Sequence, residues 1–139
     1  MNTMSETSFQ INFLDHVAFY VADMEVSATW YSKVLGLKKY KMPKWKEYPI
    51  FMMSGKSGVA LFPASVSKES TPVKAIRIDH FAFNVSNENF QRARSLYDKL
   101  GLSYELKDHY YFHSLYTLDP DGHIVELTTL VVDEEQFYG

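Results

Sequence analysis

Imidazole and carboxylate side chains are the groups in this chain whose types and spacing can hold a divalent cation. His16 sits in Leu14-Asp15-His16-Val17-Ala18-Phe19-Tyr20-Val21, and His80 in the matching phrase Ile78-Asp79-His80-Phe81-Ala82-Phe83-Asn84-Val85. Both phrases read as strands. Side chains alternate along a strand, so Val17, Phe19 and Val21 share one face and His16, Ala18 and Tyr20 the other. Phe81, Phe83 and Val85 oppose His80, Ala82 and Asn84 in the same way. The apolar face of each strand is expected to pack under a helix, which leaves each histidine on the helix-free side. Glu126 shares a face with Ile124 and Thr128 in an otherwise apolar strand, where an unpaired carboxylate is costly to cover. Two imidazoles and one carboxylate are the donor set of a facial-triad metal site with open coordination positions. The chain contains no cysteine, so thiolate ligands, a thiol nucleophile and disulfides are excluded.

The elements that must position these groups are written twice. Each strand phrase is followed by a helical stretch with the same ending, Tyr31-Ser32-Lys33-Val34-Leu35-Gly36-Leu37 and Tyr97-Asp98-Lys99-Leu100-Gly101-Leu102. Such a repeat is the first thing to look for in a chain. Asp23 and Ser86 stand where N-caps belong, and Gly36 and Gly101 supply the left-handed residue that ends a helix. Val26, Trp30 and Val34 offer an apolar stripe on the first helix; Phe90, Ala93, Tyr97 and Leu100 offer one on the second. Strand-like runs follow at Lys38–Tyr40, Tyr48–Met53 and Gly58–Phe62, then at Ser103–Lys107, Ser114–Leu118 and Ile124–Leu130. Asp119-Pro120-Asp121-Gly122 is a tight turn between the last two. The expected fold is α+β: two tandem βαβββ modules, residues 12–65 and 76–130 of one domain spanning 1–139, forming a cupped mixed sheet. Ser65 to Thr71 with Pro72 reads as the link, and residues 1–10 as a flexible tail.

Composition sets the wider limits. With 139 residues, 46% hydrophobic and 22% charged, the chain is long enough to bury a core and is globular rather than disordered. No run approaches the roughly 20 apolar residues of a membrane span, and Met1 to Gln10 has no secretory pattern, so the expected location is the cytoplasm. A net charge of −3 argues against nucleic acid as a partner. The cluster Lys38, Lys39, Lys41, Lys44 and Lys46 reads as a solvated loop or edge strand. Ten Tyr, ten Phe and two Trp suit a pocket for a flat or apolar small-molecule ligand as well as a core.

The phrase around His16, its echo at His80, and Asp119-Pro120-Asp121-Gly122-His123-Ile124-Val125-Glu126 resemble the vicinal oxygen chelate superfamily. That group includes glyoxalase I, extradiol dioxygenases, fosfomycin-resistance transferases and bleomycin-binding proteins. The resemblance implies two βαβββ modules around one metal on His16, His80 and Glu126, substrate bound through two neighbouring oxygens, and a homodimer. It implies Fe(II) or Mn(II), with Zn(II) and Ni(II) as further options.

Within the superfamily, the residues favour some reactions over others. Glyoxalase-type members take a fourth ligand from the last strand of module one, where Leu61 falls here. The extradiol dioxygenases, which are oxidoreductases, carry a His, a Tyr and a Glu at the spacing of His109, Tyr116 and Glu126. The resemblance therefore implies cleavage of a small catecholic or related substrate, with Tyr116 as a hydrogen-bonding residue and His109 as acid or base. Lys107 departs from the dioxygenase signature, and no base histidine stands near Ser65. His113 and His123 read as structural. The fosfomycin transferases share Ser114, Tyr116, His123 and Glu126, but need a basic pocket, and residues 127–139 contain no Arg or Lys. Lyase or isomerase chemistry of the glyoxalase type, thiol transfer, and non-catalytic binding remain as alternatives. For binding, an aromatic groove would use Trp45, Tyr48, Phe62, Tyr110, Tyr111 and Phe112; a binding module would carry no metal.

Overall fold

The computed structural model describes residues 8–67 and 77–139. The order is β1 (His16–Val21), α1 (Met24–Leu35), β2 (Lys38–Tyr40), β3 (Ile50–Ser54), β4 (Ser57–Pro63), β5 (His80–Asn84), α2 (Asn87–Leu100), β6 (Tyr104–Asp108), β7 (Phe112–Leu118), β8 (Ile124–Leu130) and α3 (Glu134–Tyr138). The expected α+β class is what the chain adopts. Two four-stranded mixed sheets run β1-β4-β3-β2 and β5-β8-β7-β6. In each, the first strand pairs parallel with the last and the remaining pairs are antiparallel. Much of the link lies outside the described residues, as do positions 1–7 of the N-terminal tail. A short 3-10 turn, Ala64–Val66, opens the link.

Local chemistry explains the helix ends. The Asp23 carboxylate accepts from the Glu25 and Val26 amides, and the Ser86 hydroxyl oxygen accepts from the Asn89 amide. These contacts satisfy amide groups that the first turn leaves free. Gly36 and Gly101 take φ of 69° and 71°, a conformation that a side chain disfavours. β3 starts only after Pro49, which has no amide to give to a ladder.

The helix faces differ in part from the expected stripes. α1 buries Ser27, Ala28, Tyr31 and Val34, whereas Val26 is 53% exposed. The seam follows these buried residues at i, i+1, i+4 and i+7, and α1 packs on β3 and β4. α2 buries Phe90 and Tyr97 and leaves Leu100 exposed.

Two compact units account for the contacts. Of the described residues, one holds 13–67 and 77–79 together with Asp119–His123; the other holds 8–12, His80–Leu118 and Ile124–Gly139. The turn joining β7 to β8 thus belongs with the first sheet rather than with its own. Within the first sheet, Gly58 pairs in register with His16. A Cβ on Gly58 would collide with the Met52 carbonyl oxygen and lie 2.9 Å from the Met53 Cα. Gly58→Ala is expected to destabilise the fold by about 1–3 kcal/mol, the usual cost of overpacking. Urea unfolding would read this as a lower midpoint at unchanged slope.

Candidate metal and catalytic site

The register of the second sheet decides which groups share a face. Ala82 pairs with Glu126, Glu126 with Tyr116, and Tyr116 with Glu105; Ser114 pairs with Thr128 and Lys107. With alternation, one face therefore carries His80 and Asn84, Glu126, Thr128 and Leu130, Phe112, Ser114 and Tyr116, and Glu105 and Lys107. His113 points to the other face, where its Nε2 lies 3.7 Å from Asp108.

Three of the candidate residues on this face meet, and a loop histidine joins them. His80 Nε2 is 2.9 Å from Glu126 Oε1. The Ser114 hydroxyl donates to the other carboxylate oxygen, Oε2, so Oε1 is the oxygen turned to the histidine. Glu126 is buried while His80 is partly exposed. His109, in the turn after β6, places its Nε2 2.8 Å from the Tyr116 hydroxyl. The Tyr116 ring stands edge-on to His80 at 5.9 Å, and the Lys107 ammonium lies 5.7 Å from the centre of the same ring. Burial holds the Tyr116 hydroxyl above the usual phenol range; a hydrogen bond with Ser114 opposes this and the Glu126 carboxylate reinforces it. Tyr116 is accordingly a neutral hydroxyl at physiological pH.

His16 lies in the other unit. Its Nδ1 is 2.7 Å from the Asp15 carboxylate, and its ring stands edge-on to Phe51 at 4.8 Å. A carboxylate on Nδ1 fixes the tautomer whose Nε2 carries a lone pair, which is how a metal-binding imidazole is oriented. Asp15 is a residue whose orienting part was not read from the sequence, although it adjoins His16 just as Asp79 adjoins His80.

The donor set fits a divalent cation. Ligands about 2.0–2.2 Å from an ion and at right angles around it lie about 3 Å apart, which matches the His80–Glu126 spacing. The fourth-ligand position needs correcting by register. Ala18 pairs with Ala60 as Ala82 pairs with Glu126, so the counterpart of Glu126 is Ala60 and not Leu61, which pairs with Phe19. Neither residue coordinates a metal, and the first module supplies no carboxylate there.

A second acidic cluster, Asp119, Asp121 and His123, has donor atoms within 4.8 Å of one another. Its atoms are already committed. One Asp119 oxygen accepts from the Asp121 and His123 amides, the other from the Tyr31 hydroxyl and His123 Nδ1. Asp121 accepts from the Ala22 amide and the Ser27 hydroxyl. Burial and the anionic Asp119 push the Tyr31 hydroxyl far above its ordinary value. The cluster is a knot that seats the turn on α1.

Its titration has a definite sign. The Asp119 hydrogen bond raises His123, against the opposing effect of burial. Burial pushes Asp119 up, but bonds from His123 and Tyr31 outweigh it and leave the carboxyl below its usual value. A raised imidazole stabilises the fold below its unfolded pKa, and that contribution is lost as pH rises through the folded value; the lowered carboxyl loses its contribution as pH falls. His123→Gln is expected to remove the alkaline loss, so melting temperature followed from pH 6 upward should fall less in the variant than in the parent.

The aromatic candidates fall into two groups. Trp45 packs on Phe51 and Tyr48 on Phe62 in the first unit, while Tyr111 and Phe112 pack on Phe137 in the second. Among the described residues no helix is long and apolar enough to cross a membrane.

The glyoxalase/bleomycin resistance protein/dioxygenase superfamily model matches residues 13–127. The chain belongs to this superfamily. Two curated relatives are named as transferases. The chain is 27% identical over 114 residues to a "Glutathione transferase FosA" of Serratia marcescens, covering 82% of this chain and 78% of the relative. It is 28% identical over 136 residues to a "Metallothiol transferase FosB" of Lysinibacillus sphaericus, covering 92% and 89%. Among solved structures, a glyoxalase/dioxygenase from Nostoc punctiforme aligns with a TM-score of 0.73 at 18% identity, over 95% of this chain and all of that one. The fosfomycin resistance protein FosX from Mesorhizobium loti aligns at 0.64 and 24% identity, over 91% and 99%. The superfamily fold is shared with both.

Proposed function

We propose that this chain is a metal-dependent transferase that adds a small thiol to an electrophilic substrate, with Mn(II) or Fe(II) held by His16, His80 and Glu126. The two transferase relatives support the reaction class. The observation that carries the reading is Lys107. It stands on the face of Ser114, Tyr116 and Glu126, over the Tyr116 ring, where an ammonium suits an anionic substrate head and has no use in opening a catechol ring.

A divalent cation bound there supplies Lewis acidity that polarises a substrate oxygen. The chain's own groups do the rest. Ser114 fixes Glu126, and Glu126 faces His80. For an epoxide, the thiol sulfur forms a bond to carbon, the carbon–oxygen bond breaks with its electron pair kept by oxygen, and the thiol proton ends on that oxygen. His109 takes the thiol proton, Tyr116 gives its own to the oxygen, and the His109–Tyr116 hydrogen bond restores the phenol. A homodimer belongs to this reading and is checked by sedimentation.

The test is thiol consumption by protein loaded with Mn(II), offered glutathione with the epoxides fosfomycin and phenylglycidate in turn, and its loss with a chelator. Absence of turnover with any of Mn(II), Fe(II), Zn(II) or Ni(II) overturns the proposal. Extradiol cleavage is the second reading, favoured by the 2.8 Å His109–Tyr116 contact. A yellow ring-opened product from anaerobically Fe(II)-loaded protein given catechols and oxygen would select it instead.

A further inference from the structure

The site's own face gives a substrate class, and this inference rests on the transferase reading above. Its polar end holds His80, Glu126, Tyr116 and Lys107. Leu130 is four residues along β8 from Glu126 and pairs with Phe112, so the other end lies roughly 13 Å away at about 3.3 Å per residue. That end is apolar and aromatic. Phe112 packs on His109 at 5.0 Å and on Phe137 of α3 at 5.3 Å. Phe137 also contacts Tyr111 and Tyr138. An unbroken row of rings therefore runs from Tyr116 through His109 and Phe112 to α3.

The charges limit the head of the ligand. Among the described residues of this sheet face, Lys107 is the cation, and it is shared with Glu105 at 3.5 Å. Beyond Leu130 the chain carries Asp133, Glu134 and Glu135 and no basic residue. A dianion such as a phosphonate would meet on this face one ammonium already shared with Glu105, with no arginine to hold its oxygens bidentately.

We propose that the preferred substrate is a small electrophile with a head bearing at most one negative charge at Glu126 and Lys107, and an aryl or long alkyl tail lying along Phe112, Leu130 and Phe137. In the transferase reaction such a substrate is an aryl glycidate: the thiol sulfur bonds to an epoxide carbon, the carbon–oxygen bond opens, and the thiol proton goes to the oxygen.

Binding tests this apart from turnover. The unreactive diol 2,3-dihydroxy-3-phenylpropanoate and intact fosfomycin are titrated, without thiol, into Mn(II)-free labelled protein followed by NMR. The diol should shift Phe112 and Phe137 signals and bind at least tenfold more tightly than fosfomycin. Phe137→Ala should weaken the diol about tenfold and leave fosfomycin unchanged; Phe137→Leu, which keeps apolar bulk without a ring, should lie between. Tighter binding of fosfomycin, or a Phe137→Ala variant that stays folded with undiminished diol affinity, overturns the inference. With Mn(II) and glutathione, phenylglycidate should exceed fosfomycin tenfold in kcat/KM. If neither epoxide consumes thiol while the diol still binds as described, the transferase reading fails and the ligand class stands.

Discussion

Glu126→Gln is expected to cost at least a hundredfold in Mn(II) affinity and to abolish thiol transfer, with the fold retained. Changes to groups that merely orient a ligand cost 10–100-fold, and Glu126 is proposed as the ligand itself. The competing view makes Glu126 one half of a structural pair with His80 at 2.9 Å. Breaking a buried pair costs about 3–5 kcal/mol, so that view expects a large loss of stability in metal-free protein. The metal view expects the reverse. A carboxylate that is 4% exposed is costly to cover without a cation, and the isosteric amide relieves this. Melting in chelator should therefore leave the variant no less stable than the parent. Added Mn(II) should raise the parent alone, by about 2.7 kcal/mol at a hundred times Kd. A variant that melts far below the parent in chelator, and still gains stability from Mn(II), would remove Glu126 from the ligand set.

Asp119→Ala should destabilise the fold by about 3–5 kcal/mol. The side chain is fully enclosed, and its removal strands the Tyr31 hydroxyl, the Asp121 and His123 amides and His123 Nδ1. Each buried donor left without an acceptor costs about 1–3 kcal/mol. Tyr31→Phe removes one donor and leaves Asp119 its other partners, so about 1 kcal/mol is expected. Asp119→Asn retains one oxygen and should fall between the two. Urea midpoints for the three variants order the knot; equal losses for Asp119→Ala and Tyr31→Phe would show that the backbone amides contribute nothing.

What could be read from the sequence was what depends on neighbouring residues. Asp23, Ser86, Gly36 and Gly101 act within one turn of themselves, and all four cap as expected. Alternation places Glu126 with Ile124 and Thr128 on one face of its strand, and His80 with Ala82 and Asn84 on one face of theirs, since that needs only a period of two. Pairing register was beyond it. The sequence puts Leu61 at the fourth-ligand position, whereas the residue in register with Glu126 is Ala60, one residue away, because the offset between β1 and β4 is set by tertiary contacts. Val26 fits a helical stripe yet faces solvent, since the seam is chosen by what β3 and β4 can accept. α3 lies beyond the two repeated modules, so the repeat gives no expectation for it. Gln136, three residues after Asp133, was the available signal: its side-chain oxygen accepts from the Asp133 amide at 3.3 Å, half of a capping box. For Asp119 the turn was legible, but a partner 88 residues away leaves no local mark.

The turn that bears Asp119 sets an order of events during synthesis. Tyr31 leaves the ribosome long before residues 119–123, which complete the unit around it. Until those residues emerge, the Tyr31 hydroxyl of the nascent first half lacks the Asp119 oxygen that accepts from it in the folded protein. A gene cut at the link would give an amino-terminal fragment with the same defect, restored by supplying the missing carboxyl-terminal piece in trans.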